Sequence, residues 1–308
     1  MDINVVLHCN QRCISCSHAS PFTKPWTMTP EMLARDLAAL KGVAHFRVLQ
    51  MVGGEPTLHK DFFQITGAAK LNGLEVGLIT NGSRESMLDA AANFSWVRVS
   101  MDGGTPELYS KIRRVPEDEF NKVLANVWAL RQAAPDLVIG VQFMVTSVEA
   151  VEAVPEFLER LSGLGVTYAT VKLPASFEWF DASFVGRLCL DLPKQVGPMR
   201  VYETRAGGER GNEGLPCWAS RLNTIVGADG RVHVCCRLME DGQYDNAYLG
   251  DLNEQTFRDL WTSTFVVDKA KALLDPKNTE GCPVCWMTKF NRTLSETTAE
   301  DLASLGFV

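Results

Sequence analysis

The chain has no uninterrupted apolar run near the 18 or so residues that a membrane-spanning helix needs, which excludes a helical membrane protein. It has no excess of positive charge either. Thirty Lys and Arg stand against 37 Asp and Glu, a net charge of -7, so a nucleic-acid partner, which usually calls for a basic face, is not expected. The opening Met1-Asp2-Ile3-Asn4-Val5-Val6-Leu7-His8-Cys9 lacks the basic segment and long apolar core of a secretion signal, so the expected location is the cytoplasm. No repeat of 20 to 50 residues and no low-complexity tract occurs. With 46% hydrophobic and 22% charged residues, the composition excludes disorder, collagen and coiled coil as the main class. What remains is a compact chain of 308 residues, long enough for about two domains.

Cysteine is missing over the whole stretch between Cys16 and Cys189, yet the chain has nine of them, at 9, 13, 16, 189, 217, 235, 236, 282 and 285. A reducing compartment gives cysteines little use as disulfides, so the two crowded groups point to two sites for metal or catalysis.

From residue 1 to about 173, short β-rich runs alternate with helical patterns. The strand candidates are Ile3 to Leu7, Phe46 to Val52, Leu74 to Thr80, Val97 to Met101, Leu137 to Val145 and Thr167 to Leu173. Helical stretches are expected near 30–41, 60–71, 84–93, 117–133 and 149–163, the first announced by Thr29-Pro30-Glu31, a capping residue followed by proline. Strands alternating with helices imply right-handed parallel βαβ units. The expected fold is α/β, a partial (β/α)6 TIM-like barrel with a small C-terminal iron–sulfur domain, divided as residues 1–200 and 201–308. Loops after the strand C-termini carry the chemistry of such a barrel. Cys9, Gly53-Gly54-Glu55-Pro56, Asn81-Gly82 and Asp102-Gly103-Gly104 all fall there. After about residue 174 the composition shifts: Phe177, Trp179 and Phe180 read as core or domain contact, and a hairpin is expected around Ala228-Asp229-Gly230.

Cys9-x3-Cys13-x2-Cys16 is the strongest motif. Three thiolates can hold three irons of a [4Fe-4S] cube and leave the fourth open to an external ligand. Structural zinc is the alternative, although it usually takes paired cysteines with a fourth ligand nearby. With this spacing after the first strand, the chain resembles the radical S-adenosylmethionine (SAM) superfamily. Met51-Val52-Gly53-Gly54-Glu55-Pro56 looks like that family's GGEP motif, which implies contact of Gly53, Gly54 and Glu55 with the methionyl amino group. Asn81, Ser100 and Asp102 stand where family members contact the ribose and carboxylate of SAM. One departure is Ser15, where most members place an aromatic residue beside the adenine, so adenine packing must come from elsewhere.

The C-terminal cysteines resemble those of the twitch domain, a shortened SPASM domain, with Gly230-x4-Cys235 as the marker step. This implies one auxiliary [4Fe-4S] cluster on Cys217, Cys235, Cys282 and Cys285, because no further cysteine follows Cys285. Zinc on the same four thiolates, and Cys236 in place of Cys235, remain open. Otherwise Cys236 and Cys189 are buried thiols, or Cys236 is a hydrogen-atom donor for an epimerisation. His8, His18, Arg113 and Arg114 are further candidates to meet SAM or substrate; for the two arginines the plain reading is a solvated basic turn.

The resemblance implies two [4Fe-4S] clusters, SAM, a flavodoxin or ferredoxin reductant, and hydrogen abstraction from an unactivated C–H bond. A single auxiliary cluster looks most like 2-deoxy-scyllo-inosamine dehydrogenases and aminoglycoside epimerases. The expected substrate is therefore a small carbohydrate, cyclitol or aminoglycoside, oxidised or epimerised in antibiotic biosynthesis. The alternatives are modification of a ribosomally made precursor peptide and a non-catalytic metal scaffold. The intact Glu55 motif argues against the scaffold, and the early position of Cys9 argues against an N-terminal peptide-recognition domain.

Overall fold

A computed structural model of the chain describes residues 1–14, 16, 26–173, 192–205, 214–235, 247–279, 282, 285 and 287–297. Six parallel strands form its centre: β1 (Asp2–Val6), β2 (Val48–Gly53), β3 (Glu75–Thr80), β4 (Trp96–Ser100), β5 (Val138–Met144) and β6 (Tyr168–Leu173). Each lies within two residues of its expected bounds. The helices between them are α1 (Pro30–Gly42), α2 (Phe62–Leu71), the short α3 (Ser86–Asp89), α4 (Pro106–Arg113), α5 (Asp118–Ala133) and α6 (Val148–Gly163). Helix α4 was not among the sequence expectations, although Thr105-Pro106-Glu107 repeats the start signal of α1. Thr105 accepts a hydrogen bond from the Leu108 amide just as Thr29 does from the Met32 amide.

Alternation along the strands separates two faces. Ile3, Val5, Leu49, Met51, Val97, Val99, Val141 and Val171 are buried in one core with the helices. The residues between them put Asn4, Gln50, Arg98, Ser100, Gln142 and Lys172 on the opposite face, beside apolar neighbours such as Val52, Ile79, Trp96 and Met144. Arg98 on β4 lies within electrostatic reach of both Asp2 on β1 and Tyr168 on β6, as the curl of a partial barrel brings about.

The sheet continues past both ends of the expected six. Strand β8 (Met199–Arg205) pairs parallel with β6 and carries β7 (Gln195–Val196) on its outer side, in a region where no strand was expected from the sequence. At the other end β9 (Ile225–Val226) pairs parallel with β1, followed by antiparallel β10 (Arg231–His233) and β11 (Tyr248–Asp251). The expected hairpin is thus β9–β10, and it extends the barrel sheet itself. The order β11-β10-β9-β1-β2-β3-β4-β5-β6-β8-β7 leaves the sheet open among the described residues.

The C-terminal helices α7 (Phe257–Trp261), α8 (Thr264–Ala272) and α9 (Thr288–Glu296) complete the described chain. Helix α7 is fastened to α1 by the buried Asp36. One carboxylate oxygen accepts from the Phe257 amide at 2.9 Å and the other from Arg35 at 2.6 Å. Arg35 in turn donates to the Leu252 carbonyl at 2.9 Å. Around this clamp, Phe46 packs against Trp261, which stacks on Phe257 at 5.3 Å.

Asp36→Ala leaves the Phe257 amide buried without its charged acceptor, a loss of about 1.5–3 kcal/mol. The expected outcome is a lower chemical-denaturation midpoint and faster proteolysis after residue 247. An unchanged midpoint would show that the clamp contributes nothing.

Candidate active site

The loops at the C-terminal ends of β1, β2 and β3 are locked together through two glycines and one carboxylate. The amides of Gly54 and Glu55 donate to the carbonyls of Val6 and His8 at 2.9 and 3.0 Å. This approach leaves no space for side chains. A Cβ on Gly53, whose φ is +124°, would lie 2.2 Å from the Val6 carbonyl oxygen, and one on Gly54 would lie 2.1 Å from that of His8. Only glycine fits both positions.

The Glu55 side chain, 1% exposed, then turns toward β3. Its Oε1 accepts from the Thr57 hydroxyl at 2.5 Å, the Thr80 hydroxyl at 2.7 Å and the Thr57 amide at 3.1 Å. Its Oε2 accepts from the Asn81 amide at 2.7 Å. Burial pushes the Glu55 pKa up, and these bonds from Asn81, Thr57 and Thr80 oppose the shift by favouring the anion. Asn81 passes the connection on: its side-chain amide donates to Asn10 at 2.8 Å and to Cys9 Sγ at 3.9 Å, joining β3 to the cysteine loop.

Cys9, Cys13 and Cys16 are half-buried and mutually within electrostatic reach. Burial, then the neighbouring Glu55 carboxylate and the other two thiols, push Cys9 up to about 11 against a hydrogen bond from the Gln11 amide. Cys13 is also raised, first by burial, with the guanidinium of Arg113 opposing. The expected plain reading of Arg113 as part of a solvated turn does not hold. It is 6% exposed, and its Nη2 lies 2.8 Å from Asp102 Oδ2. Asp102 Oδ1 accepts from the Met144 amide at 2.9 Å, so both of its oxygens are engaged. Ser100, two residues earlier at the end of β4, is half-buried. His8 is half-buried too, with its carbonyl used by Glu55.

The second thiol group gathers Cys217, Cys235, Cys282 and Cys285. Burial and then the other three thiols push Cys282 up to about 11. Asn291 on α9, fully buried, donates to Cys285 Sγ at 3.9 Å and accepts from the Ala219 amide at 3.0 Å. Nothing in the sequence pattern singled out Asn291, because an asparagine on a short helix has no spacing signature.

Sulfur-only donors suit an iron–sulfur cluster, in which each thiolate takes a different iron. Among the described residues no three Cys, His, Asp or Glu side chains converge as one ion's shell requires. The two groups lie at opposite ends of the barrel. Cys9 follows the C-terminal end of β1. Cys235 follows His233, which stands opposite Ile225, itself opposite Asp2 at the start of β1. The inner face runs between them. Ser15, His18, Phe177, Trp179, Phe180, Cys189 and Cys236 lie outside the described residues.

The radical SAM superfamily profile matches residues 3–161, just over half of the chain, and the profile of SPASM, an iron–sulfur cluster-binding domain, matches residues 217–286. The AdoMet-dependent heme synthase of Methanosarcina barkeri is 25% identical over 90% of this chain and 85% of its own length. The mycofactocin maturase MftC of Mycobacterium tuberculosis is 24% identical over 90% of this chain and 73% of its own. In fold, the chain is similar to Streptococcus suis SuiB bound to the precursor peptide SuiA, with a TM-score of 0.66 at 13% identity, covering 97% of this chain and 73% of that one.

Gly54→Ala forces a methyl group into the His8 carbonyl. Overpacking against backbone costs about 1–3 kcal/mol and displaces the cysteine loop. After anaerobic reconstitution, iron should fall by about half, the loss confined to the N-terminal thiols. Full iron content in this variant would show that the loop tolerates the displacement.

Proposed function

The chain belongs to the radical SAM superfamily, and from that premise we propose an oxidoreductase that takes a hydrogen from a small carbohydrate or cyclitol held against the inner face of the barrel. Its two domains bring SAM and two iron–sulfur clusters, one that binds SAM and one auxiliary. We assign the first, a [4Fe-4S] cluster, to Cys9, Cys13 and Cys16, and the second to Cys217, Cys235, Cys282 and Cys285. With SAM bound, the first cluster supplies a radical able to break an unactivated C–H bond.

The chain's own residues do the rest. Gly53 and Gly54 let the β2 loop close on the cysteine loop beside the proposed SAM site, and Glu55, Asn81, Ser100 and Asp102 stand at or just beyond the ends of β2, β3 and β4. The single observation that carries oxidation, rather than radical rearrangement, is the placing of four further thiols at the far end of the interior. Clusters held on these thiols would let a substrate between them lose a hydrogen atom toward one end, an electron toward the other and a proton to solvent, which balances a two-electron oxidation. Flavodoxin or ferredoxin is the proposed source of the initiating electron.

Burial lowers the pKa of both Arg98 on β4 and Lys172 on β6; Arg98 adds to the lowering at Lys172, while Asp2 and Asp102 oppose it at Arg98 and Lys172 respectively. The second reading is a precursor-peptide substrate, favoured by the maturase relative over nine tenths of the chain. The cyclitol resemblance rests on the cysteine pattern.

Two measurements test this. Iron, sulfide and zinc per chain after anaerobic reconstitution should give about eight irons and no zinc. About four irons with one zinc would remove the auxiliary electron acceptor and, with it, the oxidation. Next, 5'-deoxyadenosine formation from SAM is measured with deuterated cyclitols and carbohydrates and, in parallel, with peptides. Deuterium should pass from cyclitol or carbohydrate into the deoxyadenosine; transfer from peptide alone would move the enzyme to the second reading. Cys236→Ala should leave oxidation intact, and lost turnover with preserved SAM cleavage would indicate epimerisation instead.

A further inference from the structure

Resting on the assignment of the first cluster to Cys9, Cys13 and Cys16, we propose that Arg113 is a positioning residue that fixes Cys13 and raises the reduction potential of that cluster, with Asp102 setting the strength of the effect. Arg113 occupies the last turn of α4, and the backbone there is bonded to the cysteine loop: Arg12 and Ile14 donate their amides to the carbonyls of Arg113 and Ile112 at 3.3 and 3.0 Å. The guanidinium is therefore held against the loop from two directions.

Its fork divides three ways. Nη2 meets Asp102 at 2.8 Å, with both side chains under 9% exposed. Nη1 donates to Gln11 Oε1 at 3.3 Å and to Cys13 Sγ at 3.6 Å. Nε is buried and has no hydrogen-bond partner among the described residues. Gln11 is itself braced by donating to the Tyr109 hydroxyl at 3.2 Å, and the guanidinium lies 5.9 Å from the Tyr109 ring centre.

A cation donating a hydrogen bond to a ligand sulfur stabilises the added negative charge of a reduced cluster, which makes reduction easier. Asp102 opposes this from the far side of the guanidinium. The two partners of one ion pair thus act with opposite sign on the cluster. A purely structural brace has no such property, since removing either half would disturb the loop in the same direction.

The test is a redox titration followed by electron paramagnetic resonance on the reconstituted holoenzyme, with the auxiliary cluster as internal reference. Arg113→Gln should lower the midpoint potential of the first cluster, Asp102→Asn should raise it, and Arg113→Lys should fall between Arg113→Gln and the unaltered protein. The auxiliary cluster should not move. Should Arg113→Gln fail to fold, Asp102→Asn, nearly the same in shape, carries the test alone. Shifts of the same sign in Arg113→Gln and Asp102→Asn, no shift in Asp102→Asn, or loss of the first cluster in all three variants while the second assembles would overturn the proposal. Failure of the unaltered protein to assemble a cluster on Cys9, Cys13 and Cys16 would instead overturn the assignment on which the proposal rests.

Discussion

The buried Glu55 carboxylate is the constraint around which the catalytic end of the barrel is arranged. Three strands end beside it, and its two oxygens take up two backbone amides and two hydroxyls from the end of β3 and the loops after β2 and β3. A carboxylate in so dry a place is costly unless hydrogen-bonded on every side. Here those partners are the loop amides and hydroxyls themselves, so the loops and the charge stabilise each other. From this point Asn81 reaches Asn10 and Cys9, and the geometry of the cysteine loop follows.

Asp102 repeats the device one strand further on. It too is buried with both oxygens engaged, one by the Met144 amide of β5 and one by Arg113. Two buried acids therefore hold the cysteine loop from either side, Glu55 through Asn81 and Asp102 through Arg113. They differ in one respect. The partners of Glu55 are neutral, whereas Asp102 has a full countercharge, and that guanidinium, beside Cys13, comes from α4.

Much of this was legible in the sequence where a local rule sufficed. Short β-rich runs located the six central strands, and Thr29-Pro30-Glu31 located α1. Local rules failed where long-range contact decides. Strand β9 is two residues long and acquires its meaning only by pairing with Asp2 and Ile3, more than 200 residues away. Arg113 read as a surface turn because consecutive arginines usually seek water. It is buried because α4 ends beneath the cysteine loop, and no spacing within the sequence announces that. Asn291 is the same case at the other end, since its contacts to Cys285 and Ala219 join segments that only the folded chain brings together.

The union of the two domains through one sheet has a chemical consequence. Were the C-terminal cysteines on a tethered domain, their distance from the first loop would vary with every interdomain motion. Instead β9 is hydrogen-bonded to β1, and Asp36 and Arg35 of α1 fasten the segment that follows β11. The chain that ends at Cys9 and the chain that leads to Cys235 are thus two parts of one hydrogen-bonded ladder. The separation of the thiol groups is set by strand length, about 3.3 Å per residue over a strand of five, plus the short loops beyond. On the proposed reading a guest on the inner face would lie between the two thiol groups, which suits chemistry in which one end removes a hydrogen and the other accepts an electron.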